Sequence, residues 1–154
     1  GWLYLAVVID LYSRKVVGWS MGSRMKAQLV CDALKMAVWQ RQPKAGLIVH
    51  SDQGVQYTSK EYRRLLKLHG FIGSMSRKGN CWDNAPMERF FRSLKSEWVP
   101  VSGYGNFTEA DKAITNYITG YYSETRPHQY NGGLTPNESE RLYWNDSKTV
   151  ANFT

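Results

Sequence analysis

The sequence predicts an α/β fold, and three observations carry that reading. An apolar opening, Trp2 to Ile9, turns over residues 10–15 and returns as Val16 to Met21, the pattern of a strand hairpin. Helical periodicity then alternates with two short strand-like runs, Leu47 to His50 and Phe71 to Met75. Helical patterns close the chain, so the order is strand, strand, helix, strand, helix, strand, helix, helix.

Each element has its own justification. Trp2 to Ile9 is too apolar for a strand with one wet face and is expected to be buried on both sides. Lys26 to Arg41 carries Leu29, Val30, Ala33, Leu34, Ala37 and Val38 at helical spacing, with Pro43 beyond its end, and serves core packing. Leu47 to His50 is expected to be a buried strand that delivers Asp52 at its C-terminal end. Thr58 with Glu61 three residues on is a capping-box pattern; Tyr62, Leu65 and Leu66 give that helix its apolar face, and Gly70 stops it. After the strand Phe71 to Met75, Ser76 to Asn84 is a polar loop holding Arg77 and Lys78.

The next helix starts at Asn84 or Ala85. Met87, Phe90, Phe91, Leu94 and Trp98 form its apolar flank, while Glu88, Arg92 and Lys95, at i, i+4 and i+7, share the other. Thr108 caps a further helix with a stripe of Ala113, Ile114, Tyr117, Ile118 and Tyr121. Tyr121, Tyr122, Arg126, His128 and Tyr130 mix aromatics with cations, which suits either nucleic-acid stacking or helix packing. Thr135-Pro136 begins a short helix to about Tyr143. The expected organisation is one domain over residues 1–144 and a frayed tail over 145–154.

Composition narrows the function. A formal charge of +7 favours a polyanionic partner, nucleic acid first among them. Cys31 and Cys81 make neither a disulfide framework nor a metal cluster and are expected as free thiols in a reducing compartment. With no apolar run long enough for a membrane span and no signal-peptide pattern, the expected location is cytosolic.

The chemistry concentrates in Asp52 and Glu88. A carboxylate at a strand end and another in a helix's first turn, separated by a helix and a strand, suit the holding of hard divalent cations. Such ions can activate the attacking oxygen and stabilise the leaving oxygen of a phosphoryl displacement. Taken singly, Asp52 is also an ordinary turn aspartate, and Glu88 a solvated acid favoured by the helix dipole. Arg92 and Lys95 beside Glu88 favour phosphate contact over a simple i,i+4 ion pair.

The flanking residues tip the balance. His50-Ser51-Asp52-Gln53-Gly54-Val55-Gln56-Tyr57, Ser76-Arg77-Lys78-Gly79-Asn80-Cys81-Trp82-Asp83-Asn84-Ala85, then Glu88-Arg89-Phe90-Phe91 and Leu94-Lys95 resemble the integrase-core (DDE-type) transposases of bacterial insertion sequences, relatives of retroviral integrases. Thirty-five residues separate Asp52 from Glu88, the spacing of that family's acidic motif, and Arg126-Pro127-His128 with Leu134-Thr135-Pro136 resembles its closing signature.

The resemblance implies a ribonuclease H-like fold, a mixed sheet flanked by helices, whose first and central strand is missing from this chain. A gap there would leave main-chain groups unpaired on both flanks, to be filled by another segment or chain or removed by closing up the sheet. It further implies a DNA transposase core that nicks DNA and directs the freed 3′-hydroxyl to attack target DNA using Mg²⁺ or Mn²⁺, two ions in all. Asp52 and Glu88 become the catalytic metal ligands, and Arg92, Lys95, Arg77 and Lys78 the DNA contacts. Asp10 is a third candidate acid, although the family's register puts it in the hairpin turn, where Asp is a favoured residue. The implied partners are element-end and target DNA and further copies of the chain, with sequence-specific binding outside it, in the nucleoid-associated cytoplasm of a bacterium. Two alternatives stand beside this: an inactive DNA-binding and assembly remnant, and, more weakly, a ribonuclease H-like nuclease on RNA–DNA hybrids. Either way, little activity is expected from this chain alone.

Overall fold

The computed structural model describes residues 2–77 and 84–152, with side chains as far as 146. These residues group into two compact units, one within Gly1–Ile9 and Val17–Ser93 and the other within Asp10–Val16 and Leu94–Thr154.

The first unit holds the strands. β1 (Tyr4–Ile9) pairs with β2 (Val16–Gly22), and β3 (Ile48–Ser51) pairs with β4 (Ile72–Met75). The second pair is parallel, with Ile48 opposite Ile72 and Ser51 opposite Met75. Among the described residues the two pairs are separate two-stranded sheets, so the sheet does not close up there.

Burial meets the expectation at the middle of β1 and departs from it in β3. In β1 only Ala6 and Val7 are buried, and Trp2 lies outside the strand at 82% exposure. β3 is covered on one face only: Val49 packs on the core, whereas Ile48 is 65% exposed and its partner Ile72 55%. Ala6 and Val7 point to opposite sides of β1, so the middle of that strand is buried on both faces, whereas β3 departs from the expectation of a buried strand.

α1 (Ala27–Arg41) packs on β1 and on α2 (Lys60–His69), and α2 packs on β4. Leu29, Val30, Cys31, Ala33 and Leu34 meet Ala6, Tyr62 and Leu65 in one apolar cluster. Cys31 is a free thiol, and burial pushes its pKa up; Cys81 lies outside the described residues. The cap of α2 is Ser59, whose hydroxyl accepts from the Tyr62 N–H, rather than Thr58, whose hydroxyl donates to the Val55 carbonyl. Gly70 ends α2 in the left-handed conformation at φ 69°.

α3 (Ala85–Glu97) runs from the first unit into the second. In the second unit, α4 (Phe107–Asn116) is capped by Asn106, which accepts from the Glu109 N–H at 2.8 Å; Thr108 is already inside the helix. The chain then widens into a π-helical segment, Tyr117–Thr125. Its five-residue spacing buries Tyr122 and Ser123 below Tyr117 and Ile118, and leaves Tyr121 half-buried instead of in the expected stripe. Trp98 stacks on Tyr121 and donates its indole N–H to the Ala113 carbonyl at 3.0 Å. α5 (Pro136–Asn152) carries on well past Tyr143, through residues expected to fray. Among the described residues no helix is long and apolar enough to cross a membrane.

Candidate active site

Asp52 follows directly on β3, and its side chain is exposed. One carboxylate oxygen, Oδ1, accepts the Gly54 N–H at 2.7 Å, and the Gly54 carbonyl accepts from Tyr57 and Thr58. This tight turn fixes the carboxylate and occupies one oxygen only. Tyr57 lies partly buried behind it. Burial first, and the Asp52 charge second, push its phenol up to about 12, so the ring stays neutral beside the acid.

The turn is laced to the end of β4. The Ser76 N–H donates to the Ser51 carbonyl at 2.8 Å, and the Gln53 amide donates to the Ser76 carbonyl at 3.0 Å. His50 lies between two hydroxyls, its Nδ1 2.9 Å from Ser74 Oγ and its Nε2 3.0 Å from Ser76 Oγ. The alternation of β4 explains the placement, since Ser74 faces His50 in register and Ser76 shares that face two residues on.

Glu88 sits in the first turn of α3, exposed, in the same compact unit as Asp52. Phe90, 0% exposed, and Leu94, at 4%, set the rotation of the helix. That rotation leaves Glu88, Arg92 and Lys95 in solvent on the other flank. Arg77 follows β4 and is exposed, while Lys78 lies outside the described residues.

Asp10 is placed differently. Its Oδ1 accepts from the N–H groups of Tyr12 at 2.9 Å and Ser13 at 3.1 Å, and its main chain bonds Lys15 and Arg14 across the β1–β2 turn. It belongs to the second unit. In that unit Arg126 and His128 have structural partners. The Arg126 Nε donates to both Glu97 carboxylate oxygens, at 2.8 and 3.1 Å. His128, 6% exposed, donates Nε2–H to the Tyr122 carbonyl at 3.1 Å and meets the Tyr122 ring edge-on.

The donor chemistry fits a hard cation in part. Asp52 and Glu88 offer exposed carboxylate oxygens, the ligand type Mg²⁺ prefers, and one Asp52 oxygen is left over by the turn. Among the described residues no group of three or more His, Cys, Asp or Glu is gathered as a metal site. Sequence patterning gave no role to His50, Gln53, Tyr57 or Ser76; only the β3–β4 register brings three of them together, and no local spacing encodes that register.

Solved structures of retroviral integrase catalytic cores, which are ribonuclease H-like, share the fold of this chain. The catalytic core domain of BIV integrase superposes with a TM-score of 0.61 at 22% identity, covering 96% of this chain and 89% of that one. The HTLV-2 integrase catalytic core domain, solved in complex with magnesium in a trimeric form, gives 0.56 at 15% identity, covering 87% and 82%. Two family models described as integrase core domain match residues 1–81 and 69–136. The chain is 51% identical over 140 residues to transposase InsF for insertion sequence IS3A of Escherichia coli K12, covering 91% of this chain and 49% of that protein. It is 47% identical over 141 residues to the transposase for insertion sequence element IS904 of Lactococcus lactis, covering 92% and 56%. The chain belongs to the integrase core domain family, and it spans about half the length of those transposases.

Proposed function

We propose that this chain is the catalytic core of a bacterial insertion-sequence transposase, acting in DNA nicking and 3′-hydroxyl strand transfer. The observation that carries the reading is the pair of exposed carboxylates, Asp52 and Glu88, in one compact unit of a chain 51% identical to transposase InsF. Mg²⁺ or Mn²⁺, two ions in the full reaction, would supply Lewis acidity to the phosphoryl group. The protein's own part is to hold and orient. Asp52 presents its carboxylate from a turn fixed by Gly54, and Glu88 presents its own from a helix anchored by Phe90. Arg92 and Lys95 share the Glu88 flank and suit contact with DNA phosphates, as does Arg77 after β4; Lys78 belongs with them by sequence. Asp10 is occupied by its turn and serves the hairpin in this reading.

The chain alone offers these two acids and is expected to turn over poorly. Self-association and DNA at the element ends and target complete the reading, in the bacterial cytoplasm. The test is nicking and joining of DNA carrying the element's terminal repeats by the full transposase in Mg²⁺ or Mn²⁺, with an RNA–DNA hybrid alongside. Asp52→Asn and Glu88→Gln should each abolish it. Metal-dependent cleavage of the hybrid in preference to element-end DNA would favour a ribonuclease H-like nuclease. DNA binding that survives without any cleavage by the full protein would favour an assembly remnant.

A further inference from the structure

We infer that His50 is a positioning residue: clamped between Ser74 and Ser76, it locks the Asp52 turn to the strand end from which the chain leaves for Glu88. The inference rests on Asp52 being a metal ligand, as proposed above, and goes beyond it by naming what holds that ligand in place.

Ser76 is the hub. It is 5% exposed, and three of its polar groups meet the segment 50–53: its N–H bonds the Ser51 carbonyl, its carbonyl the Gln53 amide, its hydroxyl the His50 ring. The residues gripping it, His50, Ser51 and Gln53, bracket Asp52 on both sides. The Asp52 carboxylate bonds the Gly54 N–H of its own turn and stays exposed. A site acid needs just this combination of a fixed backbone and an unspent oxygen. A neutral imidazole satisfies both hydroxyls in either tautomer, since a serine hydroxyl donates as readily as it accepts. The clamp therefore needs no charge. Groups that hold a metal ligand from behind commonly change metal affinity by about 10-fold or more when removed.

The test uses His50→Ala, His50→Gln and His50→Asn in the full chain, with Mn²⁺ alone as the probe. Two readouts are taken: hydrogen exchange of the Ser76 amide, and Mn²⁺ affinity by calorimetry. Gln can place a polar group near the position of Nε2 and reach Ser76, whereas the shorter Asn reaches only toward Ser74. His50→Ala and His50→Asn should release the Ser76 amide and weaken Mn²⁺ by about 10-fold, and His50→Gln should preserve both. Unchanged Ser76 exchange in His50→Ala would overturn the clamp. So would a His50→Gln protein that keeps the exchange pattern yet loses Mn²⁺ as badly as His50→Ala. If His50→Ala does not fold, Ser76→Ala, which deletes a single hydroxyl, decides by the same readouts. If Asp52→Asn leaves Mn²⁺ affinity unchanged, the metal reading fails, while Ser76 exchange still decides the clamp.

Discussion

Gly54 donates its N–H to Asp52 Oδ1 at 2.7 Å, and a methyl group built on Gly54 would stand 2.9 Å from that same oxygen. The glycine thus both holds the carboxylate and makes room for it. Gly54→Ala would also press on the Gln56 amide at 2.8 Å, but that side chain is flexible enough to give way. The aspartate must rotate. Mn²⁺ affinity should fall by about 10-fold while the melting temperature hardly changes, which calorimetry and thermal denaturation would check side by side.

A second glycine has a purely structural task. A Cβ on Gly18 would lie 2.8 Å from the backbone N of Ala37 and closer still to the Ala33 carbonyl, so β2 and α1 meet backbone to backbone. Neither group is a flexible side-chain end. Gly18→Ala should destabilise the protein by about 3 kcal/mol, measurable as a lowered denaturant midpoint.

Site and core residues on α3 should separate cleanly. Glu88 is exposed, whereas Phe90, two residues on, is fully buried. Glu88→Gln and Asp52→Asn should change stability by no more than about 0.5 kcal/mol yet remove Mn²⁺ binding. Phe90→Ala should cost about 3–5 kcal/mol. Chemical denaturation of the three variants checks the contrast.

His128 gives the second unit an acid sensitivity. Burial lowers its pKa, against the opposing pull of its hydrogen bond to the Tyr122 carbonyl. The unfolded chain therefore binds a proton before the folded one does. The stabilisation is complete above the unfolded pKa, about 6.5, and is lost as pH falls from there through the lower folded value. Unfolding midpoints measured from pH 7 downward should decline, and His128→Gln should flatten that part of the decline.

Periodicity and turn chemistry made most elements legible. Gly70 marked the end of α2, and the spacing of Phe90 and Leu94 separated the buried flank of α3 from Glu88. Caps were displaced by a residue or two, because Ser59 and Asn106 have neighbours of equal capping capacity in Thr58 and Thr108. The π-helical turn at Tyr117–Thr125 is not legible in the sequence, since an α-helical stripe and a five-residue spacing share Tyr117 and Ile118 before they diverge at Tyr121 and Tyr122. The separation of β1–β2 from β3–β4 is not encoded locally at all, because pairing depends on what lies beside a strand. At the site, the motif residues Asp52 and Glu88 stood out, while the His50 and Gln53 contacts to Ser76 required the strand register.

Crystals of this chain soaked in Mn²⁺ would show whether Asp52 and Glu88 share a divalent cation. Anomalous density is predicted at one position bound by oxygens of both side chains, at roughly the 2 Å typical of such ligands, and lost in Asp52→Asn. Density bound to either residue alone, with the other carboxylate turned away, or density indifferent to Asp52→Asn, would mean that the two acids share no cation.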